Sequence, residues 1–118
     1  MPVLIMALSG EYDIHTSRTQ LAMLLRSCVA EPSVALDFER VTYMDSTALT
    51  ELVRFQQERE RRRLGPAVLV NLSPAISRLL RLSGLYNVWP VYESLDAVYD
   101  SDVPTVIARN VRGPARKT

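Results

Sequence analysis

Only one cysteine, Cys28, and one histidine, His15, occur among the 118 residues. A single thiol excludes an intramolecular disulfide, and one histidine beside one cysteine leaves no cluster with metal-ligand spacing. Long apolar runs are missing too. None approaches the roughly 18 to 20 residues that span a bilayer, and the N-terminus has neither the basic start nor the small-residue cleavage site of a signal peptide. Gly-rich phosphate loops, nucleophile elbows and HExxH patterns are absent. Together these absences predict a soluble cytoplasmic protein that is not an enzyme, holds no metal or cofactor, and contacts no membrane.

Charge of one sign is also scarce. The net charge is +1, but Arg109, Arg112, Arg116 and Lys117 stand in the last ten residues with no acid, which leaves residues 1–108 at −3. A body with that balance is no electrostatic footprint for nucleic acid, so none is expected as a direct partner. The basic end carries Gly113 and Pro114 and no apolar periodicity, and reads as a flexible tail over 109–118 following one folded domain over 1–108.

What is present is a regular alternation of two apolar patterns. Short runs with aliphatic residues on both faces, Val3 to Leu8, Val34 to Phe38, Ala67 to Val70 and Val88 to Val91, read as strands buried on both sides. Between them lie helical periods. After Thr16 or Ser17 as cap, Leu21, Leu24, Leu25 and Cys28 recur at i, i+3, i+4, i+7, and Pro32 and Ser33 end that helix. A second begins near Ser46 and turns Leu49, Leu52 and Val53 inward, while its later half, Gln56 to Arg63, is almost wholly polar and is expected to project into solvent; Gly65 and Pro66 stop it. The third opens with Ser73 as N-cap and Pro74 at the first helical position, buries Ile76, Leu79 and Leu80, and closes at Gly84. A short fourth runs from Ser94 through Leu95, Val98 and Tyr99. Strand and helix alternating in this way predict an α/β domain whose sheet of about four strands is mixed and mostly parallel, covered by about four helices. The run 105–108 is a candidate fifth, edge strand.

In such a sheet, function gathers where strands end and helices begin. Two of these places are polar: Gly10 to Thr16, and Tyr43 to Ala48. Ser46 lies at a helix start, where unpaired N–H groups and the helix dipole favour negative charge, so a phosphate placed there is stabilised by the protein itself. Taken singly, the same residues read as caps and turn acids: Asp-Ser-Thr before an apolar period is a common N-cap, and Asp13 and Asp45 are ordinary turn carboxylates. A catalytic serine lacks a base, because the sole histidine lies in another loop. Asp13 and Asp45 as paired carboxylates at one end of the sheet form a third reading.

Taken together, three ordered blocks resemble the STAS domain family, specifically its anti-sigma factor antagonists. They are Leu8-Ser9-Gly10-Glu11-Tyr12-Asp13 with His15-Thr16; Val34 to Phe38 followed by Val41-Thr42-Tyr43-Met44-Asp45-Ser46-Thr47; and Leu72-Ser73-Pro74-Ala75 with Arg78-Leu79 and Leu82-Ser83-Gly84-Leu85. The resemblance runs from about Val3 to Val98. It implies a binding switch: the unphosphorylated protein binds an anti-sigma factor serine kinase and frees a sigma factor, the kinase phosphorylates Ser46, and a metal-dependent serine phosphatase resets the cycle. It further implies that Asp13, Asp45, Ser46 and Thr47 meet the partner, with Thr47 a secondary candidate acceptor. Departures from the family pattern are Ala48 in place of the usual glycine, Thr47 as a second hydroxyl, and no strand ahead of Val3 to Leu8. They motivate an alternative, a constitutive STAS adaptor without phosphoregulation in a larger complex such as a lipid-transport ATPase or a stress-signalling scaffold.

Overall fold

The structure, a computed structural model, describes residues 3–100. Four strands, β1 (Leu4–Tyr12), β2 (Val34–Met44), β3 (Val68–Val70) and β4 (Val91–Tyr92), form one sheet in the order β1-β2-β3-β4, with every neighbouring pair parallel. The expected mixture of directions is thus absent from the described sheet. Parallel neighbours require crossovers, and helices supply them. The first is segmented into α1 (Ile14–Thr16), a π-helical turn over Ser17–Leu21, and α2 (Ala22–Cys28); α3 (Ser46–Arg61), α4 (Pro74–Leu82) and α5 (Leu95–Tyr99) follow.

Alternation along the strands sends side chains to two cores. On one face Leu4, Met6, Leu8, Leu36, Phe38 and Leu69 pack against Leu21, Leu25 and Cys28 of the first helix, Leu49, Leu52 and Phe55 of α3, and Ile76 and Leu80 of α4. The other face is smaller, with Val3, Ile5, Ala35 and Val70 meeting Leu95 and Val98 of α5. Of the residues expected to face inward, Leu24, Val53 and Leu79 are only half-buried. Capping follows the sequence at α4, where Ser73 Oγ accepts from the Ile76 N–H at 3.2 Å with Pro74 at the first position; at α5 Ser94 is the cap and not the first helical residue, its Oγ accepting from the Ala97 N–H at 3.1 Å.

Several expectations need correction. Strands β1 and β2 run four and six residues beyond Leu8 and Phe38, so the first loop is part of a strand. That extension absorbs two register shifts, one on either side of Ser9-Gly10, and Gly10 sits at φ +87°, where a side chain would be strained. The fourth strand is not Val88 to Val91 but Val91–Tyr92. Pro90 has no N–H to give a ladder; its carbonyl accepts from Leu69 N–H at 2.9 Å, and Trp89 ahead of it turns into the core. The later half of α3 does not project wholly into solvent, since Gln56 and Arg59 are buried. Arg59 spends its guanidinium on backbone carbonyls: Nε on Gly65 O at 2.8 Å, Nη1 on Val29 O at 3.1 Å and Glu31 O at 2.7 Å, Nη2 on Pro32 O at 3.2 Å. The candidate strand at 105–108 and the basic segment 109–118 lie outside the described residues.

Candidate functional site

Strands β1 and β2 end together, with Tyr12 opposite Met44, and the Asp45 N–H donates to Tyr12 O at 3.4 Å. The next residue on each strand is an aspartate that opens a helix. The two polar loops are therefore brought side by side, and each is built on the same device.

Asp13 caps α1. Its Oδ1 accepts from the backbone N–H of His15 and of Thr16, both at 2.9 Å, while Thr16 Oγ1 takes the Asp13 N–H at 2.8 Å and lies 3.0 Å from Oδ1. This closes a capping box with threonine in the place of the usual acid. The cap is thus Asp13 and not Thr16 or Ser17, because the chain turns helical as soon as β1 ends. The Thr16 N–H first, then the Thr16 hydroxyl and the His15 N–H, hold the Asp13 carboxyl below its ordinary range.

Asp45 caps α3 in the same way: its Oδ1 accepts from the Thr47 N–H at 3.0 Å and from the Thr47 hydroxyl in a very short contact. Among three adjacent residues that are all good caps, the end of β2 at Met44 selects the aspartate. Ser46 is consequently the first helical residue, exposed, with a hydroxyl that makes no hydrogen bond among the described residues; only its carbonyl is engaged, by Thr50 Oγ1 at 3.1 Å. Thr47 is half-buried, and its hydroxyl also approaches Ser17 Oγ at 3.4 Å. Ala48 is fully buried, its methyl part of the core under the loop.

The aspartates Asp13 and Asp45 directly follow adjacent strands, yet each commits one oxygen to its own helix start. Among the described residues no group of three or more His, Cys, Asp and Glu could hold a metal ion. His15 is exposed on α1. Cys28 is a core residue whose thiol burial pushes up to about 12. A groove of about 480 Å³ between α2 and α3 is lined by Leu25, Arg26, Arg54 and Phe55 among others, and by none of Asp13, Asp45, Ser46 or Thr47. Ser46 is exposed at the head of α3 and lies outside this groove.

Two features escaped the sequence. Ser17, fully buried in the π-helical turn, joins the two loops through Thr47. Asp37, buried in β2, accepts at Oδ1 from the Glu39 N–H and from Asn71 Nδ2, each at 3.0 Å, tying the end of β3 to β2. No local pattern marks either, since both depend on which strands are neighbours.

A chain with this fold and these loops has clear relatives. The STAS domain model matches residues 2–98. An anti-sigma F factor antagonist from Paenibacillus polymyxa is 33% identical over 98 residues, covering 78% of this chain and 80% of that protein. The solved structure of the anti-sigma factor antagonist SpoIIAA in its unphosphorylated form is similar with a TM-score of 0.63 at 25% identity, over 78% of this chain and 81% of that one. The phosphorylated form of SpoIIAA, described as a Bacillus cell fate determinant, gives a TM-score of 0.57 at 25% identity, over 79% and 85%. With a family model spanning nearly all the described residues and a relative at this identity, the chain belongs to the STAS domain family.

Proposed function

We propose that this protein is an anti-sigma factor antagonist: it binds an anti-sigma factor serine kinase, so freeing a sigma factor, and is switched off when that kinase phosphorylates Ser46. The observation that carries the reading is the exposed, unbonded Ser46 hydroxyl at the first position of a 16-residue helix already capped by Asp45. Because the aspartate does the capping, the serine is not needed to hold the helix, and its modification leaves the cap in place. A partner packed closely on a neutral hydroxyl would reject nearly two added charges; a loss of about 3 kcal/mol from repulsion and desolvation weakens binding on the order of a hundredfold.

Relatives support the same reading. One is named an anti-sigma F factor antagonist, and SpoIIAA has been solved both without and with phosphate. The buried Ala48 methyl fits the core, so the alanine in place of glycine is no obstacle to a folded acceptor loop. Asp13 and Asp45, flanking the acceptor, are assigned to the docking surface with Ser46 and Thr47. In this scheme a metal-dependent serine phosphatase regenerates the active form, the protein itself catalyses nothing, and the cycle runs in the cytoplasm. No helix among the described residues is long and apolar enough to cross a membrane.

The test is a pull-down with unphosphorylated protein to identify the kinase, followed by binding and ATP-dependent labelling. Ser46→Ala should bind without being labelled, and Ser46→Asp should not bind. A Ser46→Asp protein that binds as tightly as wild type would sink the switch and leave the constitutive adaptor.

A further inference from the structure

Thr47 carries the second hydroxyl of the acceptor loop, and its surroundings differ from those of Ser46 in every respect that matters for phosphoryl transfer. It is half-buried, and Asp45 Oδ1 and Ser17 Oγ flank its oxygen. The Thr47 hydroxyl donates to the Asp45 carboxyl oxygen, and Ser17 Oγ lies 3.4 Å from it on the other side. The result is a link from the fully buried Ser17 through Thr47 to Asp45, which spans the π-helical turn of the first helix and the first turn of α3. The same Asp45 oxygen accepts the Thr47 N–H at 3.0 Å. Both the backbone and the side chain at position 47 are therefore pinned to the cap.

We infer that Thr47 is a positioning residue and not a second acceptor: its hydroxyl, held between Asp45 and Ser17, fixes the first turn of α3 so that the kinase meets Ser46 alone. The inference rests on the reading of Ser46 as acceptor. In the transfer, the Ser46 oxygen forms a bond to the γ-phosphorus of ATP and the bond from that phosphorus to the β,γ-bridging oxygen breaks. ADP leaves with the electron pair, and the hydroxyl proton passes to the kinase. An oxygen that attacks in line must present a lone pair and give up its proton, and Thr47 has committed its proton to Asp45 within the loop. Ser46 has committed nothing, but it depends on its neighbours for a fixed position, and misplacement of a reacting atom by about 1 Å costs on the order of a hundredfold in rate.

The experiment uses the full chain and the kinase that it captures, with steady-state labelling from ATP, site mapping by mass spectrometry and melting curves for each variant. In Ser46→Ala, no phosphate should appear on Thr47. Thr47→Val, which keeps shape but removes the hydroxyl, should lower kcat for Ser46 labelling on the order of tenfold at saturating protein. Thr47→Ser should restore kcat. If Thr47→Val fails to fold, Ser17→Ala tests the same link from its far end and should lower kcat in the same direction. Label on Thr47 in Ser46→Ala, or wild-type kcat in a folded Thr47→Val, overturns the inference. A lowered melting temperature with unchanged kcat overturns it too, because that is a structural role only. Failure of the captured kinase to label wild type at all refutes the Ser46 reading, and the inference falls with it for that separate reason.

Discussion

Arg59 should be the costliest charged side chain to remove, although it lies in an arginine-rich stretch and far from the site. Its side chain is fully buried, and desolvation pulls its pKa below the ordinary arginine value. No carboxylate pairs with it by a salt bridge among the described residues; four backbone carbonyls accept from it instead, those of Val29, Glu31, Pro32 and Gly65. Three of them belong to the turn between α2 and β2 and one to the turn before β3. Removing the guanidinium as Arg59→Met keeps much of the apolar stem, but strands these acceptors and removes the cation that lies 5.8 Å from the centre of the Phe55 ring. Hydrogen bonds to a charged donor contribute about 1.5 to 3 kcal/mol each, and relief of the buried charge returns several kcal/mol. A net loss of about 3 kcal/mol is expected. For a domain of this size that lowers Tm by roughly 10 °C. Arg59→Lys should recover only part, because an ammonium donates from one point and cannot straddle both turns. Arg61→Ala, by contrast, removes a largely exposed i,i+3 partner of Glu58 and should leave the melting temperature close to that of wild type. Thermal melts read all three. An Arg59→Met protein melting within about 2 °C of wild type would refute the assignment of Arg59 as a buried clamp.

Two titrations follow from the same surroundings. Hydrogen bonds from Arg61 and then Arg62 hold the half-buried Glu58 carboxyl down to about 2, so its side-chain carbon signal should titrate near that pH, and Arg61→Ala with Arg62→Ala should bring the midpoint back toward 4.5. A depressed acid stabilises above its unfolded pKa, so this contribution is complete above about pH 4.5 and is lost as pH falls through about 2. Cys28 moves the other way. With its pKa raised from 9.0 to about 12 by burial, the thiol favours the folded state fully below pH 9 and loses that contribution as pH rises toward 12. At pH 8 the native protein should therefore resist a thiol-specific reagent that reacts at once in denaturant, and rapid native labelling would contradict the buried position.

Much of this molecule was legible as pattern, and what was not depended on partners distant in sequence. The order of strands and helices followed from alternating apolar periods, and the cap Ser73 from residue type next to a period. Arg59 was hidden because a run of arginines reads as a solvated face, and its acceptors at Val29, Glu31 and Pro32 lie 27 to 30 residues away. A signal did exist: Leu52, Phe55, Gln56 and Arg59 continue the stripe at i, i+3, i+4, i+7, and all four are buried. At the site, composition located the loop but could not choose among Asp45, Ser46 and Thr47 as cap. That choice is made by the pairing of Tyr12 with Met44, which fixes where β2 stops, and pairing is a property of two segments that no single window contains.

The same choice decides what a phosphate on Ser46 can do to the fold. At the first position of α3 it meets the positive end of a helix dipole, a stabilising contact of about 0.3 to 1 kcal/mol at an exposed site. Against that stands repulsion from the adjacent Asp45 carboxylate, of similar size in water and screened by salt. The capping bonds from Thr47 to Asp45 do not involve the Ser46 hydroxyl and survive its modification. The terms nearly cancel, so the phosphoprotein should melt within about 3 °C of the unmodified form. Its affinity for the kinase should nevertheless fall on the order of a hundredfold. Measured together by calorimetry and titration, the two numbers separate an interface switch from a folding switch. A phosphoprotein that loses binding because it has unfolded would place the effect on α3 itself, and Asp45 would then not cap that helix independently of Ser46.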